Sequence, residues 1–123
     1  MQLDHEKLDV YGLAMDFVAL ADELAASLPR GRAYLADQLR RASTSVTLNI
    51  AEGAGEFSRK DKARFYRMAR RSAVECAAAI DVCAELELTD AEKLAAGREQ
   101  MVRVISMLVR MIGMDGAARV GAG

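Results

Sequence analysis

Apolar residues recur along most of this chain in alternating steps of four and three, the rhythm of helices buried along one stripe. Val10, Ala14, Phe17, Ala21, Leu24 and Leu28 form one such seam. Leu35, Leu39, Ala42, Val46 and Asn49 form a second, and Phe65, Ala69, Ser72, Cys76, Ala79, Cys83 and Leu86 a third. A sheet protein would need β-branched runs and frequent turn signals, whereas this chain has a single Pro and long Ala-rich stretches. Asp9 is placed to cap the first helix, with Leu8 and Leu13 as a hydrophobic staple, and Pro29 with Gly31 ends it. The second helix is expected from Arg32 to Glu52, with Gly53 as a left-handed cap. The third follows Ser58, and the fourth starts at the capping box Thr89-Asp90-Ala91-Glu92 and runs to about Gly113.

Short connections force consecutive helices antiparallel, so the expected fold is all-α, an up-down-up-down four-helix bundle. Residues 1–114 form its single domain, and the Gly/Ala-rich residues 115–123 are expected to be a flexible tail. The opening residues are acidic, and no apolar run approaches the roughly 20 residues of a membrane span, so a soluble cytoplasmic chain is expected. Cys76 and Cys83 lie two helical turns apart, roughly 10 Å, too far for a disulfide within one helix. They read as small buried apolar residues. With His5 as the only histidine, no metal or cofactor site is expected.

The fourth helix carries more apolar surface than one bundle can bury. Ten of the fourteen residues from Met101 to Met114 are Met, Val, Ile or Leu, and Arg103, Ser106, Arg110 and Gly113 form one narrow polar stripe. A helix apolar over most of its circumference needs a second partner surface, here another copy of the chain. Val102, Val104, Met107, Val109, Met111 and Met114 are the candidate residues for that homo-oligomer interface.

Charge is sharply divided. Residues 30–71 hold eleven Lys/Arg against four Asp/Glu, and the rest of the chain holds six against fourteen, which hides behind a net charge of −1. Lys60, Arg64, Arg67 and Arg71 step by four, three and four, forming a stripe about 140° from the third seam. Arg59, Lys62 and Arg70 flank it, and Arg40 and Arg41 join from the second helix. Arginine forks suit phosphate oxygens, so RNA or single-stranded nucleic acid is the expected partner. The competing reading is a scaffold or protein-interaction module, whose charges organise subunits or recruit a protein. Tyr66 reads equally as a stacking surface or as a buried core residue.

A third cluster surrounds Asn49-Ile50-Ala51-Glu52-Gly53. Asn49 and Ser72 fall on apolar seams, where an unsatisfied amide costs ~1–3 kcal/mol. Together with Glu75, Glu52, Gly53 and Arg41 they are expected to form a polar cluster that fixes helix register. The functional alternative is a carboxylate site built from Glu52 and Glu75. Enzyme readings otherwise fail on inventory, because Glu-x-x-His pairs and a glycine-rich phosphate loop are both missing.

The stretch from Arg40 to Gly53, Arg-Arg-Ala-Ser-Thr-Ser-Val-Thr-Leu-Asn-Ile-Ala-Glu-Gly, followed by Phe65-Tyr-Arg-Met-Ala-Arg-Arg-Ser-Ala-Val-Glu75, resembles a bacterial four-helix-bundle family. Its members are encoded in intervening sequences of large-subunit ribosomal RNA genes and carry an S23-type ribosomal protein label. Leu8-Asp-Val-Tyr-Gly-Leu-Ala14 also resembles that family's opening, so the likeness spans roughly residues 8–113. The resemblance implies assembly as a ring of five, with no settled biochemical function. It also implies kinship with a basic barrel protein of diversity-generating retroelements, which engages nucleic acid and a reverse transcriptase. The acidic overall balance of this chain, pI near 5.8, departs from that branch.

Overall fold

A computed structural model describes the backbone of residues 1–122 and the side chains through Gly113. A short 3-10 turn, η1 (Asp4–Lys7), precedes four helices: α1 (Asp9–Ser27), α2 (Ala33–Ala54), α3 (Arg59–Glu85) and α4 (Ala91–Ala122). Among the described residues no strand occurs, and no helix is long and apolar enough to cross a membrane. Contacts join α1 to α2, α2 to α3, α3 to α4 and α4 back to α1, so the four helices enclose one core. η1 was not anticipated; it packs on α1 and α2, with the His5 ring set edge-on to Tyr11 at 4.6 Å.

The core follows the expected seams, with two shifts of phase. On α1, Val10, Ala14, Phe17, Ala21 and Leu24 are buried as expected. On α2, Ile50 rather than Asn49 continues the buried face, which Gly53 and Ala54 complete, and Asn49 lies half-buried at the edge. On α3, Tyr66, Ala73 and Ile80 join Ala69, Cys76 and Cys83 inside, while Phe65 and Ser72 are half-buried and Leu86 is exposed. An Ala-rich helix offers small side chains on several phases, so its larger residues decide which way it turns. On α4, Leu94, Gly97, Met101, Val104 and Leu108 complete the core.

Several boundaries also moved. Asp9 is the first residue of α1 rather than its cap, since Leu8 precedes it in extended conformation without a side-chain hydrogen bond. Ser58 does cap α3, its hydroxyl accepting from the Asp61 amide at 3.0 Å. At α4 the cap is Asp90, whose Oδ1 accepts from the Glu92 and Lys93 amides at 2.9 and 3.1 Å. Thr89 instead hydrogen-bonds Ser27 across the connection at 2.6 Å. α4 continues past Gly113 through Ala122, because an isolated glycine without a proline or left-handed turn does not stop a helix. The side chains of residues 114–123 lie outside the described residues, and the expected tail falls largely among them.

Gly53 is not a left-handed cap. It is buried inside α2, and the glycine with positive φ among the described residues is Gly31, at 93°. Glycine is needed at position 53 for another reason. A Cβ there would stand 2.6 Å from Tyr66 Cε1 and 2.8 Å from Cδ1, with the Lys62 carbonyl oxygen at 3.2 Å. Gly12 on α1 has open space around the same added atom. Gly53→Ala should therefore destabilise by about 1–3 kcal/mol through overpacking, despite alanine's better helix propensity. Gly12→Ala should stabilise by roughly 0.5–1 kcal/mol. Urea unfolding of both variants checks this pair, and equal gains would show that Tyr66 does not press on Gly53.

Candidate nucleic-acid interface

The end of α2 and the start of α3 are locked to one another. Tyr66 fills the space over Gly53, and Lys62 reaches back so that its Nζ donates to the Ala54 and Gly53 carbonyls at 3.0 and 3.4 Å. Both carbonyls belong to the last turn of α2; the Gly53 oxygen also accepts from the Glu56 amide at 3.2 Å, and the ammonium adds a cationic C-cap at the helix end. Lys62, expected among the phosphate-binding cations, is thus engaged in structure. Tyr66 is 5% exposed, which settles it as a core residue rather than a stacking surface.

Packing Tyr66, Ala69, Ala73, Cys76 and Ile80 inward turns the opposite side of α3 to water. Lys60, Arg64, Arg67 and Arg71 then lie about 180° from the buried face at 100° per residue, more directly outward than the expected 140°. All four are exposed, as are the flanking Arg59 and Arg70. Among the described residues the ion pairs are Arg40–Asp22, Lys93–Glu23 and Arg98–Asp81, and none of these α3 cations takes part. The Arg64 guanidinium lies 4.8 Å from the centre of the half-buried Phe65 ring, which orients it along the helix surface.

The two α2 arginines are placed differently. Arg40 turns toward α1, where its Nε donates to Asp22 at 2.9 Å, and so does not extend the α3 stripe. Arg41 stays on the α3 side and donates to the Gln38 side-chain oxygen at 3.2 Å. Gln38 in turn donates to Glu75 at 3.4 Å.

The polar cluster assembles in two parts. Asn49 Nδ2 donates to the Ser45 carbonyl at 2.9 Å and the Ser45 hydroxyl at 3.1 Å, and Ser45 shares a 2.9 Å hydrogen bond with Ser72. Ser45 was missed as the link, because its polarity at a half-buried position looked like ordinary helix surface. Arg41, Gln38 and Glu75 make the second part, with Gln38 also unforeseen. Read in order, Gln38 meets Glu75, Ser45 meets Ser72 and Gly53 meets Tyr66, so α2 and α3 pair in opposite directions.

Glu52 belongs to neither part; it is exposed and lines a small pocket with His5, Ala51, Gly55 and Glu56. Glu75 borders a separate groove with Gln38, Arg41 and Ser72, so the two carboxylates do not form a common site. Among the described residues no three His, Cys, Asp or Glu side chains are grouped to hold a metal ion. Burial, and then the Glu75 carboxylate, push the Cys76 thiol up to about 12, and burial also raises Cys83. Both are therefore thiols rather than nucleophilic thiolates at neutral pH.

Of the six candidate interface residues on α4, Val104 is fully buried in its own core and is unavailable to a second copy. Met107 and Met111 are half-buried against that core. Val102 and Val109 are 44% and 47% exposed, and the Met114 side chain lies outside the described residues.

The 23S rRNA-intervening sequence protein family model matches residues 6–110, and the chain belongs to this family. No curated protein matches it. A solved structure of a protein of unknown function from the S23 ribosomal protein family of Bacteroides thetaiotaomicron VPI-5482 has a similar fold, with a TM-score of 0.77. The two are 20% identical over 84% of this chain and 97% of the other.

Lys62 and Lys60 separate structural from exposed charge. Lys62→Ala should lower stability by about 1.5–3 kcal/mol, the range of a hydrogen bond to a charged group, whereas Lys60→Ala should leave the unfolding midpoint unchanged. Thermal and urea denaturation measure both, and a neutral Lys62→Ala would remove the cap from the account.

Proposed function

We propose that this chain is a non-enzymatic, cytoplasmic, oligomeric helical-bundle protein that binds RNA or single-stranded nucleic acid through the outer face of α3. The observation that carries this reading is the row of cations Arg59, Lys60, Arg64, Arg67, Arg70 and Arg71, exposed and outside every ion pair among the described residues. Like charges on adjacent turns repel one another, and a polyanion relieves that repulsion while releasing its own counterions. From Lys60 to Arg71 the stripe runs roughly 16 Å along the helix, enough to follow several phosphates. Assembly of an up-down-up-down bundle into a ring, of five copies as the family resemblance implies, would repeat the stripe in every subunit.

Affinity should fall steeply with salt, with a log–log slope of roughly −0.7 per phosphate contacted on a single strand. Replacing Arg64, Arg67 and Arg71 together by Ala should flatten that slope by roughly 2. Fluorescence anisotropy with a labelled oligonucleotide across a salt series reads both values. Absence of binding at low salt contradicts the proposal and favours the scaffold reading, in which these cations meet acidic side chains of a neighbouring protein.

Assembly rests on a different surface. The Asp81–Arg98 pair sets α3 beside α4, and on this flank Val102 and Val109 of α4 and Val74 of α3 stay exposed. A second copy of the chain would cover them, and Val109→Glu would then bury an unpaired carboxylate at a subunit contact, on the order of several kcal/mol. Sedimentation velocity should show an oligomer for the wild type, a helical monomer for Val109→Glu, and an assembly largely intact for Arg103→Glu. A monomeric wild type contradicts the seam, and selective loss of assembly in Arg103→Glu places it on the other side of α4.

A further inference from the structure

Phe57 stands at the connection between α2 and α3 with its ring wholly in water, at 101% of reference exposure. The connection itself is held. The Gly55 and Glu56 amides bond the Ala51 and Gly53 carbonyls, and Ser58 caps α3 immediately after the phenylalanine. An apolar residue in that position, just before a helix cap, ordinarily packs on the fourth residue of the helix as a hydrophobic staple. Here the fourth residue is Lys62, whose amine reaches back to the α2 carbonyls, so the ring has no apolar partner. The other aromatics differ. Phe17 and Tyr66 are buried, Phe65 lies beside the Arg64 guanidinium, Tyr11 meets His5, and the Tyr34 hydroxyl accepts from Arg32.

The surroundings of Phe57 decide what would cover it. Arg59 and Lys60 follow within three residues and open the exposed α3 stripe, while Glu56 on its other side is half-buried in the pocket with His5 and Glu52. An apolar protein surface would gain the ring but strand the adjacent cations. An unpaired nucleobase matches both, because it offers a π-face to the phenyl ring and a phosphate to each neighbouring cation. A duplex keeps its base faces stacked on one another and offers only backbone and groove edges along its length. Resting on the nucleic-acid reading above, we infer that Phe57 is a stacking platform for an unpaired base at the entrance to the α3 stripe, selecting single strands over duplex.

The chain contains no Trp, so Phe57→Trp supplies a unique fluorescent reporter at this site. The probes are oligo(U), an abasic strand of equal length and charge, and a duplex of the same length. The wild type should prefer oligo(U) over the abasic strand by about tenfold, the scale of one base–aromatic stack. Phe57→Ala should lose that preference with its salt slope unchanged, and circular dichroism should show the fold intact, since the ring touches nothing. The Phe57→Trp emission should be quenched by oligo(U) and not by the abasic strand. Equal affinity of the wild type for oligo(U) and the abasic strand overturns the stacking role while leaving the charge reading standing. An unquenched tryptophan, or wild-type binding in Phe57→Ala, does the same. An emission shift with protein concentration alone shows the ring covered by a second copy and also overturns it. Failure of the wild type to bind either strand at low salt ends both readings.

Discussion

The approach of Gly53 to Tyr66 is the contact on which the rest of the molecule depends. A glycine without Cβ lets the ring lie directly on the α2 backbone, and Lys62, one turn before Tyr66, bonds the Gly53 and Ala54 carbonyls at the end of that helix. One small residue, one ring and one ammonium thus fix both the distance between two helices and the rotation of the second. With Tyr66 inside, the periodicity of α3 leaves Lys60, Arg64, Arg67 and Arg71 no orientation except outward. Rotating α3 by one residue to bury Phe65 would swing the stripe by about 100° toward a neighbouring helix.

The hydrogen bonds between α2 and α3 serve the same register. Asn49, Ser45 and Ser72 satisfy one another at a half-buried edge, and Arg41, Gln38 and Glu75 do so farther along. Hydrogen bonds of this kind add little net stability, but an offset of one helical turn would leave several polar groups unsatisfied. Salt bridges add to this, Arg40–Asp22 between α2 and α1, Lys93–Glu23 between α4 and α1, and Arg98–Asp81 between α4 and α3. The cations on the outer face of α3 take no part in that pairing. Their exposure follows from the same rotation that buries Tyr66.

The helical class, four segments and most core positions were legible because heptad spacing is a direct record of which face is buried. The family was legible from the run ending in Asn49-Ile50-Ala51-Glu52-Gly53. Details that depend on a specific partner were not. Tyr66 and Phe65 are adjacent, and an alanine-rich helix accommodates either phase until the glycine opposite decides. Gly53 after an amphipathic stretch looks the same whether it turns the chain or admits a ring. Lys62 resembled its basic neighbours because sequence carries no sign of the carbonyls within its reach. Val104 resembled its apolar neighbours on α4 for a similar reason, since surplus hydrophobicity on a helix does not say which of its residues the chain's own core takes. At Phe57 the sequence itself places Lys62 rather than an apolar residue at the staple position, yet the full exposure of the ring shows only in the structure.

The outward α3 guanidinium groups stand outside the described ion pairs, whereas those of Arg40 and Arg98 are engaged with carboxylates. Arginine side-chain Nε–Hε resonances, followed by NMR while an unlabelled oligo(U) is added, report on each group separately. If α3 binds a polyanion, Arg64, Arg67 and Arg71 shift at low salt, the shifts reverse with added salt, and Arg40 and Arg98 stay essentially unmoved. Uniform small shifts across all arginines, or unchanged α3 signals beside shifted Arg40 and Arg98, would contradict such binding.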